Sequence, residues 1–582
     1  MPSRQGGVHV VTTRREYKGK TYESHLLRRS YRDGGKVKNE TVGNVSHLPA
    51  HVVDLIRRAL RGETFAPVAE TFEITASAAH GDAKAVAIAM RKLGFAELLS
   101  SRPCREAQVV TAMVAARIMA PHTKLATTRW WQTSTLAEDC GVADADEDDL
   151  YGAMDWLLER QPAIEKKLAA RHLDENSLVL YDLSSSYFEG TSCPLAKLGH
   201  NRDGTGHKLQ VNYGLLTTSR GCPVAVSVYE GNTNDAKTLL PQVRKLRDDF
   251  GIQHLVIAGD RGMISQKAID ELKDLDGLDW ITALKSGQIR ALLNDGHLQL
   301  GLFDERNLFE LSSPDYPDER LVACRNPELA KLRSHKRASL LDATVKGLTQ
   351  VKSMVEGERG RLRGASAAVI GVRVGKVINK YRVAKHFALD IADGRFEFRI
   401  LDDQVTAEAA LDGIYVIRTS VVKKRLSAAD TVRSYKLLTN VEQAFRTLKT
   451  VDLHIRPIHH RLEDRVRAHI FLCVLAYYVE WHMRAAWRPV LFADENQDAK
   501  AVRDPVAPAK RSAAADKKAE THTLEDGAPA HSFRTLMHSL ASITRNTCRA
   551  PGADRDAPTF TIVTTANPER RRALDLLESF TP

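Results

Sequence analysis

Cysteine is scarce in this sequence of 582 residues. Its seven cysteines lie far apart, at positions 104, 140, 193, 222, 324, 473 and 548. An odd number of cysteines in a long chain, without a Cys-x-x-Cys pair, argues against a disulfide scaffold and against a cysteine-built zinc site. We therefore expect a protein of a reducing cytosol.

Long apolar runs are also missing. The longest, Ile470 to Val479, is about half the roughly eighteen residues that a membrane-spanning helix needs. The N-terminus, Met-Pro-Ser-Arg-Gln-Gly-Gly, has no apolar segment behind a positive charge, so no secretory signal is predicted. Hydrophobic residues still make up 43% of the chain, which excludes global disorder. At roughly 100–200 residues per domain, the length predicts about three to five domains.

Acidic residues are outnumbered by basic ones, which leaves a formal net charge of +11. An excess of positive charge is typical of proteins that bind nucleic acid, although many basic proteins bind none. The distribution of charge favours a nucleic-acid partner, because residues 1–63 alone contain thirteen Lys and Arg against six Asp and Glu.

The first third of the chain contains two different patterns of polar and apolar residues. Residues 1–65 alternate polar and apolar side chains around Lys-Gly and Asp-Gly-Gly turns, and they predict a basic β-meander followed by a helix after Pro49. Residues 66–175 have apolar residues at three- and four-residue spacing, which predicts a helical region. Trp130 and Trp131 within it could stack on bases, but a place in the core is the stronger interpretation.

Residues 176–285 predict the element order β-β-β-α-β-α-β, and hence a mixed sheet with helices on its faces. Residues 286–410 interrupt this pattern with a basic helical stretch, Pro327–Val355, and with several strand-like runs. We interpret them as an inserted β-rich domain whose runs are Val372–Ile378, Tyr381–Leu389 and Arg395–Leu401.

The sheet pattern resumes in residues 411–490, which contain a strand at Ile414–Thr419 and a helical stretch from Ala428 to Lys449. Residues 491–535 are rich in Ala, Lys, Asp and Pro and predict a flexible linker. Residues 536–582 predict a small C-terminal region.

Two carboxylates follow apolar runs in the predicted sheet. Asp182 ends the run that begins at Leu178, and Asp260 ends the run that begins at Leu255. If the two strands are neighbours, about 4.8 Å apart, their carboxylates converge at the edge of the sheet where ligands bind. Convergent carboxylates repel each other unless a cation lies between them, and oxygen ligands favour Mg²⁺ or Mn²⁺. The alternative is that each Asp caps the following helix.

A third carboxylate lies on a predicted helix with a regular pattern. Tyr435, Glu442 and Lys449 are seven residues apart, so they share one face, and Arg446 lies four residues after Glu442. This strip combines a metal-binding carboxylate with donors for phosphates. The alternative is that Glu442 and Arg446 form an ordinary surface ion pair.

These residues together resemble bacterial insertion-sequence transposases of the DDE type, in the group with a β-rich insertion before the glutamate. That group has a Tyr-x2-Arg-x3-Glu-x6-Lys signature, and Tyr435, Glu442 and Lys449 are in register with it, whereas Leu438 stands at the arginine position. The resemblance covers about residues 8–490. It includes the motifs Tyr-Asp-Leu-Ser-Ser-Ser at Asp182, Gly-Asp-Arg-Gly-Met at Asp260 and Gly-Asn-Thr-Asn-Asp at 231–235.

The resemblance implies an α/β fold, a ribonuclease-H-like mixed sheet interrupted by the insertion and preceded by DNA-binding residues 1–175. It implies that Asp182, Asp260 and Glu442 hold two Mg²⁺ ions, for which Mn²⁺ is a substitute. The chain would bind terminal inverted repeats as a homodimer on paired ends, cut the DNA there and join the 3′-hydroxyl ends to target DNA. The expected compartment is the bacterial cytoplasm, in association with the nucleoid. The expected DNA contacts are Tyr435, Arg446, Lys449, Lys208 and Arg261.

Two other functions remain open at this point. One is a ribonuclease-H-like DNA nuclease without strand transfer, and the other is a catalytically silent DNA-binding protein derived from a transposase. Among further residues, Lys208 on the second predicted strand either reaches DNA or faces solvent, and Asn234 and Asp235 are interpreted as helix caps. His459 and His460 are not expected to bind a metal, because adjacent side chains point in different directions.

Overall fold

The computed structural model describes residues 7–65, 71–200, 202–204, 206–497, 502–507 and 510–582. Contacts divide the chain into two units. One comprises Met1–Ser77 with Arg545–Val563, and the other comprises Ala78–Thr544 with Thr564–Pro582.

The chain begins with the predicted β-meander. Three antiparallel strands, β1 (Val8–Tyr17), β2 (Lys20–Asp33) and β3 (Lys36–Asn44), form one sheet, and helix α1 (Ala50–Ala59) follows Pro49. Lys18 and Gly19 both have positive φ, as the two-residue turn between β1 and β2 requires. The described strands and helix of this region match the predicted β-meander and helix.

The helical region contains one strand and six helices. They are β4 (Glu73–Ala79), α2 (Gly81–Lys92), α3 (Phe95–Leu99), α4 (Arg105–Met119), α5 (Lys124–Trp130), α6 (Leu136–Asp139) and α7 (Glu147–His172). Helix α7 begins with a reciprocal cap, in which Asp146 and Asp149 each accept a hydrogen bond from the backbone N–H of the other. Trp131 is 3% exposed and lies in the core, as the interpretation of its sequence favoured.

The first part of the sheet follows in the predicted order. Its elements are β5 (Leu178–Tyr187), β6 (Gln210–Thr218), β7 (Pro223–Glu230), α8 (Leu239–Arg244), β8 (Leu255–Ala258), α9 (Gln266–Lys273) and β9 (Leu278–Ala283). Strand β8 is buried on both faces, which explains why its sequence is apolar throughout.

The interrupting segment differs from the β-rich domain that we predicted. It contains α10 (Ser286–Asn294), α11 (Leu302–Glu305), β10 (Leu308–Leu311), β11 (Arg320–Arg325), α12 (Pro327–Glu356), α13 (Ala367–Lys380), β12 (Phe387–Ala392), β13 (Arg395–Ile400) and α14 (Asp402–Ala409), and β14 (Ile414–Thr419) follows it.

Two long helices dominate the insertion. The predicted strand Val372–Ile378 lies inside α13, where the buried residues Ile370, Val374 and Ile378 recur every four positions, which is helical and not strand spacing. Strands β12 and β13 pair with each other as one hairpin. Strands β10 and β11, which we placed in the insertion, belong to the main sheet, because β11 pairs with β14.

The completed sheet has eight strands in the order β10-β11-β14-β9-β8-β5-β6-β7. Pairing is parallel between β5 and β8 and between β8 and β9, and it is antiparallel elsewhere. The mixed sheet with flanking helices that the sequence predicted is therefore present.

Three helices complete this part of the chain: α15 (Ala428–Lys436), α16 (Leu438–Arg446) and α17 (Glu463–Ala486). The predicted continuous helix from Ala428 to Lys449 is thus divided, and it ends in a π-helical turn, Thr447–Val451. Helix α17 is apolar on most faces because it packs on α4, α7 and β7 together. It joins the helical region and the sheet in one core, although the sequence suggested separate regions.

The described part of the predicted linker is ordered structure. It contains helix α18 (Ala513–Thr521), which buries the small side chain of Ala515 and the stem of Lys518, whose ammonium group pairs with Glu495. Residues 498–501, 508 and 509 of that prediction lie outside the described residues. The chain continues through α19 (Phe533–Ala541), β15 (Thr544–Arg549), β16 (Phe560–Val563) and α20 (Pro568–Ser579).

Strands β15 and β16 form a small sheet with β4, in the order β16-β15-β4. The predicted cap of the last helix is present, since Asn567 Oδ1 accepts a hydrogen bond from the Arg570 N–H at 2.8 Å. Every helix in the described part of the chain is too short or too polar to cross a membrane.

Candidate active site

Asp182 and Asp260 lie side by side on neighbouring strands. Strand β5 pairs with β8 in parallel, with Leu180 opposite Ala258, and each carboxylate comes two residues after this last pair. We predicted that Asp182 ends its strand. This prediction is wrong, because β5 continues to Tyr187 along β6. The neighbouring strand β8 ends at Ala258, beside Asp182. Both carboxylates line the cavity at this end of β8.

Neither aspartate caps a helix. Asp182 lies within a strand, and its Oδ1 accepts a hydrogen bond from the Leu183 N–H at 2.8 Å. Asp260 Oδ1 accepts from the Arg261 N–H at 2.7 Å, but the cap of the next helix, α9, is Ser265. The alternative reading of these two residues as helix caps is therefore wrong.

Helix α16 brings the third carboxylate to the same place. One side of this helix is buried and contains Val441, Ala444 and Phe445. Glu442 lies on the exposed side. A cavity of about 320 Å³ opens there. Its lining comprises Asp182, Leu183, Ser184, Arg202, Asp235, Asp260, Met263, Glu442, Phe445, Arg446 and Lys449. Three acidic residues that are far apart in the sequence thus share one cavity.

The three carboxylates repel one another. Burial raises the pKa of Asp182 to about 7, and the negative charges of Asp260 and Glu442 contribute in the same direction. The backbone hydrogen bond from Leu183 and the positive charge of Arg202 lower this pKa but do not outweigh burial. A cation bound among the carboxylates would relieve the repulsion, and an all-oxygen donor set fits Mg²⁺ or Mn²⁺.

Tyr435 lies close to this cluster, although it does not line the cavity. The pKa of its phenol is raised to about 12, chiefly by burial. The negative charge of Asp260 also raises this pKa, and the positive charge of Arg261 lowers it by less. The phenol is therefore neutral at ordinary pH and can donate a hydrogen bond. Because a break after Lys436 separates α15 from α16, Tyr435 and Glu442 do not share one continuous helix.

Three cations line the cavity, and two of them, Lys449 and Arg446, differ in whether a carboxylate pairs with them. The Lys449 ammonium lies 3.0 Å from the carboxylate of Asp203, which also pairs with Arg456. Asp203 is only 3% exposed, so this carboxylate holds both cations from inside the protein. Arg446 is exposed at the cavity and, within the described residues, forms no ion pair with Glu442 or with any other carboxylate. The interpretation of Glu442 and Arg446 as a surface ion pair is therefore wrong.

Two charged residues of the cavity, Asp235 and Arg202, were not predicted as site residues. We interpreted Asp235 as a helix cap, but the cap is Asn234, which accepts a hydrogen bond from the Ala236 N–H at 3.0 Å. Asp235 instead pairs with Arg202 at 2.6 Å. The motif Gly-Asn-Thr-Asn-Asp was a signal for Asp235, whereas no pattern in the sequence marked Arg202.

The remaining predicted DNA contacts lie outside the cavity lining. We predicted Lys208 on the second strand, but it precedes that strand, β6. Its ammonium pairs with Glu189 and lies 4.8 Å from the centre of the Tyr187 ring. Arg261 is exposed beside Asp260. The Nε2 atom of His460 lies 3.4 Å from Lys124 Nζ.

Comparisons with known proteins point to one family. Residues 188–479 match the family model for the transposase DDE domain, and residues 10–68 match the model for the N-terminal domain of IS1634 family transposases. The first match includes Asp260 and Glu442 and begins six residues after Asp182. A search of curated proteins found no match.

Among solved structures, the chain is similar to the cryo-EM structure of a piggyBac transposase synaptic complex with hairpin DNA. The two share 9% sequence identity, and the similarity covers 79% of this chain and 76% of that chain with a TM-score of 0.33.

Proposed function

The chain belongs to the family of transposases with a DDE domain, and from this premise we propose that it moves an insertion sequence by cutting and joining DNA. It binds the terminal inverted repeats, cuts the DNA at the element ends and joins the freed 3′-hydroxyl ends to target DNA. The observation that carries this proposal is the convergence of Asp182, Asp260 and Glu442 in one cavity beside Arg446.

The carboxylates act as the metal-binding residues of this proposal. Asp182, Asp260 and Glu442 would hold two Mg²⁺ ions, or Mn²⁺ in their place. Metal ions bound in this way activate the attacking oxygen and stabilise the leaving oxygen of an in-line displacement at phosphorus. The chain itself supplies the rigid geometry, because β5 and β8 are central strands and α16 packs directly on β5.

The cations and the phenol position the DNA strand. Arg446 offers a forked guanidinium that suits a phosphate, and no carboxylate in the described part of the chain pairs with it. Tyr435 donates from a neutral hydroxyl, since its raised pKa of about 12 keeps the proton in place. Lys449 reaches the cavity while Asp203 holds its ammonium group, so its positive charge is partly neutralised before DNA arrives.

End recognition is proposed for the N-terminal part of the chain, residues 1–175, and a homodimer on paired ends is the proposed assembly. Additional affinity comes from the insertion. Between residues 359 and 382 it has seven Lys and Arg and no Asp or Glu, and all seven are exposed. The ion pairs of the insertion involve other residues, such as Lys352 with Glu397.

The proposal is tested with the wild-type protein, Mg²⁺, DNA that contains one element end with its flank, and a target plasmid. We expect cuts at the end of the element, followed by covalent joining of that end to the plasmid. Cleavage without joined product would support the alternative of a nuclease. Specific binding without cleavage would support a silent DNA-binding protein.

Arg446→Ala should slow cleavage more than Lys449→Ala does. Arg446 has no acidic partner among the described residues, whereas Lys449 shares the negative charge of Asp203 with Arg456. The loss of a charge-assisted contact costs about 1.5–3 kcal/mol, or roughly ten- to hundredfold in rate. Single-turnover cleavage over a Mg²⁺ titration measures the effect, and we expect the dependence on metal concentration to stay unchanged.

Tyr435→Phe serves as the milder comparison in the same assay, because it removes one neutral hydrogen bond. We expect a loss smaller than that of either cation. Rates within about twofold of wild type for all three variants would show that these are ordinary surface residues and would remove them from the site.

Removing exposed arginines from the insertion should weaken DNA binding in a salt-dependent way. The triple variant Arg361→Gln, Arg363→Gln and Arg373→Gln should reduce the slope of log K against log salt by up to about 2.7, since each phosphate contact contributes roughly 0.9. Fluorescence anisotropy at several salt concentrations measures this slope.

The matched control removes the same charge from arginines that are already paired. Arg425, Arg467 and Arg572 lie outside residues 1–175 and outside the insertion, and they form ion pairs with Asp279, Glu463 and Asp526. Their replacement by Gln changes the net charge equally but should leave the slope as in the wild type. Equal slopes for the two triple variants would contradict a DNA contact by the insertion.

A further inference from the structure

A second cluster of potential metal ligands lies within the core shared by α7, α17 and the β6–β7 hairpin. His172 is the last residue of α7, Cys222 precedes β7, and His482 lies in α17. One ligand atom from each residue lies within 4.8 Å of the others. These residues are far apart in the sequence, and no local spacing motif connects them.

The cluster is enclosed by protein. Cys222 is 2% exposed and His482 is 4% exposed, while His172 is half-buried. Aromatic rings surround His482, with the centres of the Tyr478 and Trp481 rings each 4.8 Å from the centre of the imidazole.

The distances are close to those of a tetrahedral zinc centre. Zn²⁺ binds imidazole nitrogen at about 2.0–2.1 Å and thiolate sulfur at about 2.3 Å, which places the two ligand atoms about 3.5 Å apart. The observed distance between Cys222 Sγ and His482 Nε2 is 3.9 Å. A contraction of a few tenths of an ångström would bring this pair onto one ion.

The chemistry of the donors selects the metal. The three clustered ligands are two imidazoles and one thiol, and no carboxylate is among them. This set suits Zn²⁺ and does not suit Mg²⁺ or Ca²⁺, which prefer oxygen. The Tyr478 hydroxyl lies 3.0 Å from His172 Nε2 and holds this ring in place, as outer hydrogen-bond partners do in metal sites.

From this geometry we propose that His172, Cys222 and His482 bind one Zn²⁺ ion, separate from the carboxylate cavity. Binding breaks the S–H bond of Cys222 and releases the proton to solvent, and the thiolate then offsets one of the two positive charges of the ion. A water molecule completes the coordination. The ion links the end of α7 to α17 and to the hairpin that leads into β7, so it ties the helical region to the sheet.

The test measures metal in the intact protein and does not use DNA. Wild-type protein is incubated with Zn²⁺ in excess Mg²⁺, which occupies oxygen sites, and is then dialysed against a weak chelator. Mass spectrometry of the metal content should find one zinc per chain in the wild type and less than a tenth of that in Cys222→Ser and in His482→Gln. Zinc should also raise the melting temperature of the wild type and not that of Cys222→Ser.

The control is Cys104→Ser, which removes a thiol outside the cluster. Cys104 is at the N-cap position of α4, where serine is favourable, so this variant should keep its zinc. Absence of zinc from the wild type, or equal zinc in Cys222→Ser and the wild type, would overturn the proposal.

Replacement of zinc by Co²⁺ keeps the test decisive even if Cys222→Ser does not fold. Cobalt bound to a thiolate absorbs in the near ultraviolet, whereas cobalt on carboxylates does not. The wild type should show this absorption band. Its absence would overturn the proposed metal site, independently of the results for the variants. Because no arm measures cleavage, failure here leaves the proposed transposition activity untouched.

Discussion

Replacing any one of the three cavity carboxylates by its amide is expected to abolish DNA cleavage and leave DNA binding intact. The changes are Asp182→Asn, Asp260→Asn and Glu442→Gln. Each keeps the shape of the side chain but removes a negative charge that a metal ion requires. Loss of a hydrogen-bond partner of a metal ligand typically costs 10–100-fold in activity, so loss of a ligand itself should cost at least about a hundredfold.

The measurement pairs single-turnover cleavage of element-end DNA with a binding titration of the same DNA. A matched control is Asp276→Asn, which makes the same chemical change at an exposed position between α9 and β9. The control should cut at the wild-type rate. Near-wild-type cleavage by any one of the three cavity variants would show that its residue is not a metal ligand.

The three variants also differ in a way that the structure predicts. Asp182 has a pKa of about 7 because of burial and of the two neighbouring carboxylates. Removing the charge of Asp260 or Glu442 should therefore lower the pKa of Asp182, whereas a substitution at Asp276 should not. Titration of the side-chain carboxyl signals by NMR in the metal-free protein would detect this change.

Glu319→Gln is expected to destabilise the fold by about 3–5 kcal/mol, the usual cost of breaking a buried ion pair by removal of one partner. The Glu319 carboxylate accepts two hydrogen bonds from Arg418, at 2.6 and 2.7 Å. The two side chains are 1% and 3% exposed. Arg418 also lies against the rings of Trp280 and Tyr316, so its charge cannot reach water when Glu319 is lost.

This ion pair supports the site from behind. Arg418 is on β14, and its guanidinium also donates to Gln266 Oε1 at 3.1 Å, at the start of α9. Helix α9 follows directly on the turn that contains Asp260. A loosened Arg418 would therefore release the helix that fixes the Asp260 turn, and activity should fall at temperatures where the fold still persists.

Urea unfolding of wild type and variant at one protein concentration measures the loss. The control is Glu271→Gln, whose carboxylate makes an exposed contact with Lys267 at 4.0 Å and should cost less than about 1 kcal/mol. The double variant Glu319→Leu, Arg418→Met should recover most of the lost stability, because an apolar pair leaves no buried charge. A loss below 1 kcal/mol in Glu319→Gln would contradict this account.

Local pattern alone was sufficient to locate the strand that contains Asp182 and the strand that precedes Asp260, although not the end of the first. Strand β8 is apolar at every position, and only a central strand buries both faces. The seven-residue spacing of Tyr435, Glu442 and Lys449 predicted one helix face. The structure brings Glu442 to the cavity of Asp182 and Asp260, although Tyr435 lies on a separate helix. The same reasoning failed for α13, where the alternation of Val372 and Val374 resembled a strand although burial follows a helical period.

The sequence by itself thus determined the order of the sheet elements in residues 176–285 and the basic character of the chain, because both follow from patterns among neighbouring residues. Only the tertiary structure decided which side chains meet across long separations. Asp203 holds Lys449 from 246 residues away, and Cys222 meets His482 across 260 residues. Such contacts depend on how whole helices and strands pack on one another, and packing has no period along the chain from which it could be predicted.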